Sequence, residues 1–122
     1  MNELTVKKVK DLIDRVGPSL GYDFTYDPVF PEGRRDVCAV RRLAENGSTY
    51  GYDTIYLVWR GKDGKIQYRE LINSRSSKDY IHIDGVREEN GKIVVEVGSG
   101  GSYSGSAWHK SIKVKISLAK LT

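Results

Sequence analysis

The sequence predicts an α+β protein, mostly β. One N-terminal helix packs on an antiparallel sheet of about seven strands, either open or rolled into a small sandwich or barrel. Three observations carry that expectation. Helical apolar periodicity is confined to the stretch from Val6 to Val16. Beyond it, apolar and polar residues alternate with a period of two. The turn-forming pairs Asn46-Gly47, Asp63-Gly64 and Asn90-Gly91 divide the alternating runs at hairpin spacing, which implies antiparallel pairing.

In the helix, Val6, Val9, Ile13 and Val16 form one apolar stripe with Leu12 beside them, and lysines, aspartates and Arg15 fill the remaining positions. Asn2 or Thr5 supplies an N-cap, because either side chain accepts a bond from a free backbone N–H. Gly17-Pro18 stops the helix: glycine tolerates a left-handed cap and proline cannot continue the ladder. The acidic residues and the lack of bulky aromatics favour packing on the protein's own sheet over a membrane surface.

Tyr22, Phe24 and Tyr26 alternate with Asp23, Thr25 and Asp27 in a first strand, after which Pro28 and Pro31 bracket a loop running to Arg35. Val37 to Leu43 is the second strand, closed by Asn46-Gly47. Residues 52–72 read as a hairpin in which Ile55, Leu57 and Trp59 share a face. A two-residue Asp63-Gly64 turn pairs Trp59 with Tyr68 and Ile55 with Ile72, bringing Ile66, Tyr68 and Ile72 to that face. A three-residue turn would set Trp59 against Gln67 instead. In the next hairpin the preference reverses. A three-residue Glu89-Asn90-Gly91 loop pairs Ile83 with Val97, whereas a two-residue turn would oppose Ile83 to Gly98. Gly98 to Ser106 is a Gly-Ser stretch expected to be a mobile loop, and Ile112, Val114, Ile116 and Leu118 then alternate with Ser111, Lys113, Lys115 and Ser117 in the final strand.

A chain of 122 residues fits a single domain. With 30% charged and 39% hydrophobic residues, it is neither a membrane protein nor a disordered one by composition. The first ten residues carry three lysines without an apolar run behind them, so no secretory signal is read. The lone Cys38 excludes an internal disulfide framework and makes the reducing cytoplasm the expected location. Residues 1–60 hold nine basic and nine acidic side chains; residues 61–122 hold eleven and seven. From Gly98 onward Lys110, Lys113, Lys115 and Lys120 meet no carboxylate in the sequence. Such an excess attracts phosphate, a membrane surface or an acidic protein face, or it protects an exposed strand edge from pairing.

Two constellations stand out. Tyr103, Trp108, His109, Lys110, Lys113 and Lys115 combine aromatics and cations in and beside the Gly-Ser stretch, a combination suited to recognition. Tyr80, His82 and Asp84 alternate along one strand, so the histidine can serve as general base beside a carboxylate, or as part of a metal site with His109 as a distant third ligand. Arg41 and Arg42 point to opposite faces of their strand, and either becomes an anion or interface contact if its face is covered. The Gly-Ser stretch lacks the Gly-Lys-Ser/Thr ending of a nucleotide loop, and Cys38, among Val37, Ala39 and Val40, reads as a small buried hydrophobe. No cofactor or metal is expected. The expected function is a small binding or adaptor module using an aromatic and basic β surface, with nucleic acid or an acidic protein surface as partner. The alternatives are an acid–base or metal-dependent enzyme centred on His82 and Asp84, and a structural subunit assembling through a sheet edge.

Overall fold

The computed structural model describes residues 3–17, 24–44, 53–73, 80–100 and 109–121, with backbone alone at 44, 80, 99, 109 and 110. The Asn46-Gly47 turn, the aromatic residues Tyr22, Tyr50, Tyr52, Tyr103 and Trp108, and the Gly-Ser stretch from residue 101 lie outside the described residues. Helix α1 (Val6–Val16) is followed by strands β1 (Phe24–Val29), β2 (Val37–Ala44), β3 (Thr54–Arg60), β4 (Ile66–Asn73), β5 (Tyr80–Glu89), β6 (Lys92–Gly100) and β7 (His109–Ser117), then a 3-10 turn at Leu118–Lys120. The expected single sheet is corrected: the strands form a four-stranded sheet in the order β1-β2-β3-β4 and a separate three-stranded sheet, β5-β6-β7. Among the described residues all strand pairs are antiparallel, and the two sheets do not close into a barrel.

The division follows from burial. Val37, Ala39, Ile55 and Leu57 pack in one cluster with Ile81, Ile93, Val95, Val97 and Ile116 of the second sheet. Cys38, Val40, Tyr56 and Val58, at alternate positions of the same two strands, pack with Leu4, Val9, Leu12 and Ile13. Strands β2 and β3 are thus covered on both faces, which is why Val37–Val40 and Thr54–Val58 are buried without interruption. Each large aliphatic residue removed from water there contributes about 1.5–3 kcal/mol.

Helix α1 starts where the Thr5 side chain accepts from the Lys8 N–H at 3.1 Å. Val6 is 46% exposed, so the stripe that packs is Val9, Leu12 and Ile13, and Leu4 rather than Val6 completes it. Gly17 ends the helix in an extended conformation (φ −78°), not a left-handed one. Its glycine makes room for a close approach: a Cβ there would lie 2.5 Å from Arg42 Nη1, so the buried guanidinium would have to shift.

Strand β1 runs through Pro28 to Val29, where a loop was expected. Proline is tolerated because β1 is an edge strand and its outer N–H has no ladder partner to lose. The two hairpin registers are corrected as well. At the first tip Trp59 pairs with Gln67, around the three-residue loop Lys62-Asp63-Gly64. Gly64 there has φ +81°, and Gly61 N–H donates to Lys65 O at 2.8 Å. A bulge that leaves Leu71 unpaired then restores Ile55 to Ile72. Ile66 and Tyr68 consequently sit on the helix side, where Ile66 packs and Tyr68 meets Tyr56 edge to face at 6.3 Å. At the second tip Asn90 and Gly91 both have positive φ (52° and 76°), as a two-residue type I′ turn requires, so Glu89 pairs with Lys92. A bulge at Asp84 then brings Ile83 opposite Val97. Gly98 to Gly100, expected to belong to a loop, complete β6.

Candidate functional site

The second sheet packs its Ile81, Val95, Val97 and Ile116 against the first sheet; on the opposite face Val94 is also buried, between Arg87 and Lys115. On that face β5 places His82 and Asp84 together: His82 Nε2 donates to Asp84 Oδ1 at 2.9 Å, with the side chains 41% and 33% exposed. The pair closes over Gly98, directly opposite His82 in β6, where a Cβ would fall 2.5 Å from His82 Nε2 and 2.8 Å from Asp84 Oδ2. Gly98 is in turn opposite Ser111 of β7. Tyr80 and His109 both pair with Gly100 through their backbones, and Lys110 pairs with Ser99. The sequence-predicted residues Tyr80, His82, Asp84, His109, Lys110, Lys113 and Lys115 therefore lie on the three strands of one sheet, while Tyr103 and Trp108 lie outside the described residues.

The basic character of β7 is offset by its neighbours. Glu96, opposite Lys113, is 4.0 Å from its ammonium and also bound by Arg87, which reaches Glu89 at 2.8 Å. Arg87 together with Lys113 and Lys115 holds the Glu89 carboxyl below its ordinary range, the hydrogen bond from Arg87 being the largest cause. The carboxylates missing from the C-terminal segment are thus supplied by β5 and β6. Strand β7 also lies at the edge of its sheet, where lysines discourage pairing with another chain.

Arg41 and Arg42 separate as their alternation requires. Arg41 faces the second sheet, donating to Asp27 Oδ2 at 3.1 Å and to the carbonyl of Ile81 at 3.3 Å. Asp53 is buried and accepts from the Ile81 N–H; loss of solvent raises its pKa, with Arg41 acting in the opposite direction. The peptide groups flanking the Ile81 side chain are therefore held from both ends by the first sheet. Asp27, Val29 and Arg41 also line a cleft of about 120 Å³ with His82 and Ile83, so Arg41 and His82 border the same cleft. Arg42 does not join them. Buried on the helix side, its guanidinium lies 3.5 Å over the Phe24 ring and beside Gly17 at the helix C-terminus, where a cation is favourable. Tyr26, opposite Arg42, donates to Asp14 of α1 at 2.7 Å, and burial raises its pKa.

Among the described residues no cluster of three or more His, Cys, Asp or Glu side chains could hold a metal ion. Cys38 is fully buried, and desolvation pushes its thiol up to about 12, which suits packing rather than nucleophilic chemistry. No described helix is long and apolar enough to cross a membrane.

A different cationic cleft escaped the sequence reading. Between α1 and β4, Lys8, Asp11 and Arg15 of the helix and Lys65 beside the first hairpin loop surround Leu12 and Ile66 in a groove of about 360 Å³. The usable signal was the spacing of Lys8, Asp11 and Arg15, which puts all three on one flank of the helix. Sequence alone did not reveal that Lys65 lies across from them.

Compared with models of known protein families, with curated proteins and with solved structures, the chain matches none.

Proposed function

We propose that the protein is a small binding module whose contact surface is the outer face of β5-β6-β7, with single-stranded nucleic acid as the partner to test first. The observation supporting this reading is the His82–Asp84 pair, held half-exposed over Gly98 with Ser111 and then Lys113 following on the neighbouring strand. An imidazole fixed by a carboxylate offers a ring for a base to stack on, and Lys113 and Lys115 offer phosphate contacts. Because Glu96 and Glu89 stand among these cations, the binding involves only one or two phosphates. Its logarithmic salt slope is then about −0.7 per phosphate on a single strand. An amide NMR titration with short mixed DNA and RNA at low and moderate salt tests the proposal. Shifts gathered at His82–Asp84 and Ser111–Lys115 that weaken as salt rises support it. An unmoved spectrum overturns it.

One observation favours a second reading. His82 and Arg41 line the same cleft, and His82 Nε2 lies 2.9 Å from Asp84 Oδ1, the histidine–carboxylate pairing that general acid–base chemistry uses. Arg41, a fixed cation nearby, suits a substrate that gains negative charge. Turnover of nitrophenyl esters or phosphates that His82→Ala abolishes supports this acid–base role, and turnover unaffected by that substitution eliminates it.

A further inference from the structure

We propose that the groove between α1 and β4 docks an acidic peptide segment carrying a bulky apolar side chain. Several other cations of the protein are engaged: Arg34 with Asp36 and Glu88, Arg41 with Asp27, and Arg87 with Glu89 and Glu96. Lys8, Arg15 and Lys65 differ. None of them makes an ion pair among the described residues, yet they come from two separate elements to rim one concavity. The rim carries three cations against the single carboxylate of Asp11. Its floor is Leu12, buried in the helix-side cluster, and Ile66, packed against the same cluster.

The groove exists because α1 covers the middle of the first sheet and leaves β4 largely bare. The central residues of β4 are exposed, and Tyr68, on the helix side two positions beyond Ile66, remains 44% exposed. A cleft of about 360 Å³ has room for one or two side chains rather than a folded surface. An aliphatic floor offers no plane for a base to stack on, so a peptide fits it better than a nucleic acid strand does. The apolar side chain fills the space over Leu12 and Ile66, while flanking Asp or Glu residues meet Lys8, Arg15 and Lys65.

The test is fluorescence polarisation with a labelled Glu-Asp-Leu-Phe-Glu-Asp peptide. Controls are its Lys-for-acid counterpart and a labelled oligothymidine. Saturable binding of the acidic peptide, at least about tenfold tighter than of the basic one, is expected, as about 1.4 kcal/mol of charge complementarity gives. The Lys8→Glu/Arg15→Glu and Lys65→Glu variants each weaken it several-fold, with circular dichroism unchanged because all three positions are on the surface. Asp11→Lys, which removes the opposing carboxylate, tightens it. Equal affinity for both peptides, affinity unchanged in all three variants, or oligothymidine competing the peptide off the groove would each overturn the proposal.

Discussion

His82 Nε2 lies 2.9 Å from Asp84 Oδ1, and the pair occupies the space that any side chain at position 98 would need. The bulge at Asp84 is part of the same arrangement. It inserts one residue into β5 between Ile83, opposite Val97, and Gly85, opposite Glu96. Bulges re-aim side chains in this way, and here the result is a histidine and a carboxylate meeting across the backbone of an inward-facing isoleucine.

Gly98→Ala is therefore expected to leave the fold intact and break the pair. The new methyl meets movable side-chain ends rather than backbone, so the cost is reorientation of His82 and Asp84, not loss of the sheet. Long-range proton–nitrogen NMR of the His82 ring reads the outcome. The wild type keeps the proton of the neutral ring on Nε2, and Gly98→Ala loses that preference. An unchanged tautomer in the variant would show that glycine is not what accommodates the pair.

Gly17→Ala is expected to destabilise the protein by about 1–3 kcal/mol, as overpacking a filled site does. The backbone at Gly17 suits any residue, so the penalty comes from the Arg42 guanidinium, which is buried and held against Phe24. Gly17→Ala/Arg42→Ala, measured by urea unfolding, should show that the Gly17 penalty shrinks once the guanidinium is gone. Additive losses would refute this explanation.

The hairpins show what the sequence made legible. Both inward pairs, Ile55 with Ile72 and Ile83 with Val97, follow from matching apolar faces, and both are present. Both loop lengths differ from those that a single register running from core to tip would give. Each hairpin instead obeys two local rules, with a bulge absorbing the one-residue difference. Asn90-Gly91 takes the tight turn its positive φ values allow. Asp63 accepts from the Lys65 N–H at 3.0 Å within a longer loop that Gly64 closes. The split into two sheets was hidden for a related reason: the runs Val37–Val40 and Thr54–Val58 are apolar at both parities, but nothing local says which layers cover them. At the site, alternation placed His82 with Asp84 and parted Arg41 from Arg42. The carboxylates near the β7 lysines, Glu96 opposite Lys113 and Glu89 of β5, come from other strands and could be found only through the register.

Cys38 is expected to resist thiol reagents at neutral pH until the protein opens. Its side chain is inaccessible and its pKa is raised by burial, so Ellman's reagent should react at a rate that follows unfolding and rises with urea. Cys38→Ser should cost about 1–3 kcal/mol, because a hydroxyl among Leu12, Val40 and Tyr56 lacks the solvation it has in water. Rapid labelling of the native protein would contradict this packing.

Asp36 and Asp53 are expected to give opposite pH signatures. Arg34 donates to Asp36 at 3.0 and 2.8 Å, and those hydrogen bonds hold the Asp36 pKa below its ordinary 3.8. A carboxyl with a lower pKa in the folded state stabilises the protein above 3.8, and that contribution is lost as pH falls through the folded value. The effect is modest, about 0.2–1 kcal/mol, because both partners are partly solvated. Asp53 has the reverse sign. Burial raises its pKa, so the folded protein holds the proton more tightly than the unfolded chain, and stability declines as pH rises from 3.8 through the folded value. Urea unfolding from pH 2.5 to 6 separates the two. Asp36→Asn should flatten the loss of stability at the acidic end, while Asp53→Asn should remove the decline above 3.8 and retain a side-chain oxygen for the Ile81 N–H. If Asp53→Asn instead made stability fall faster with rising pH, the attraction of Arg41 would outweigh burial, and the polar hold on Ile81 would be an ion pair first and a backbone clamp second.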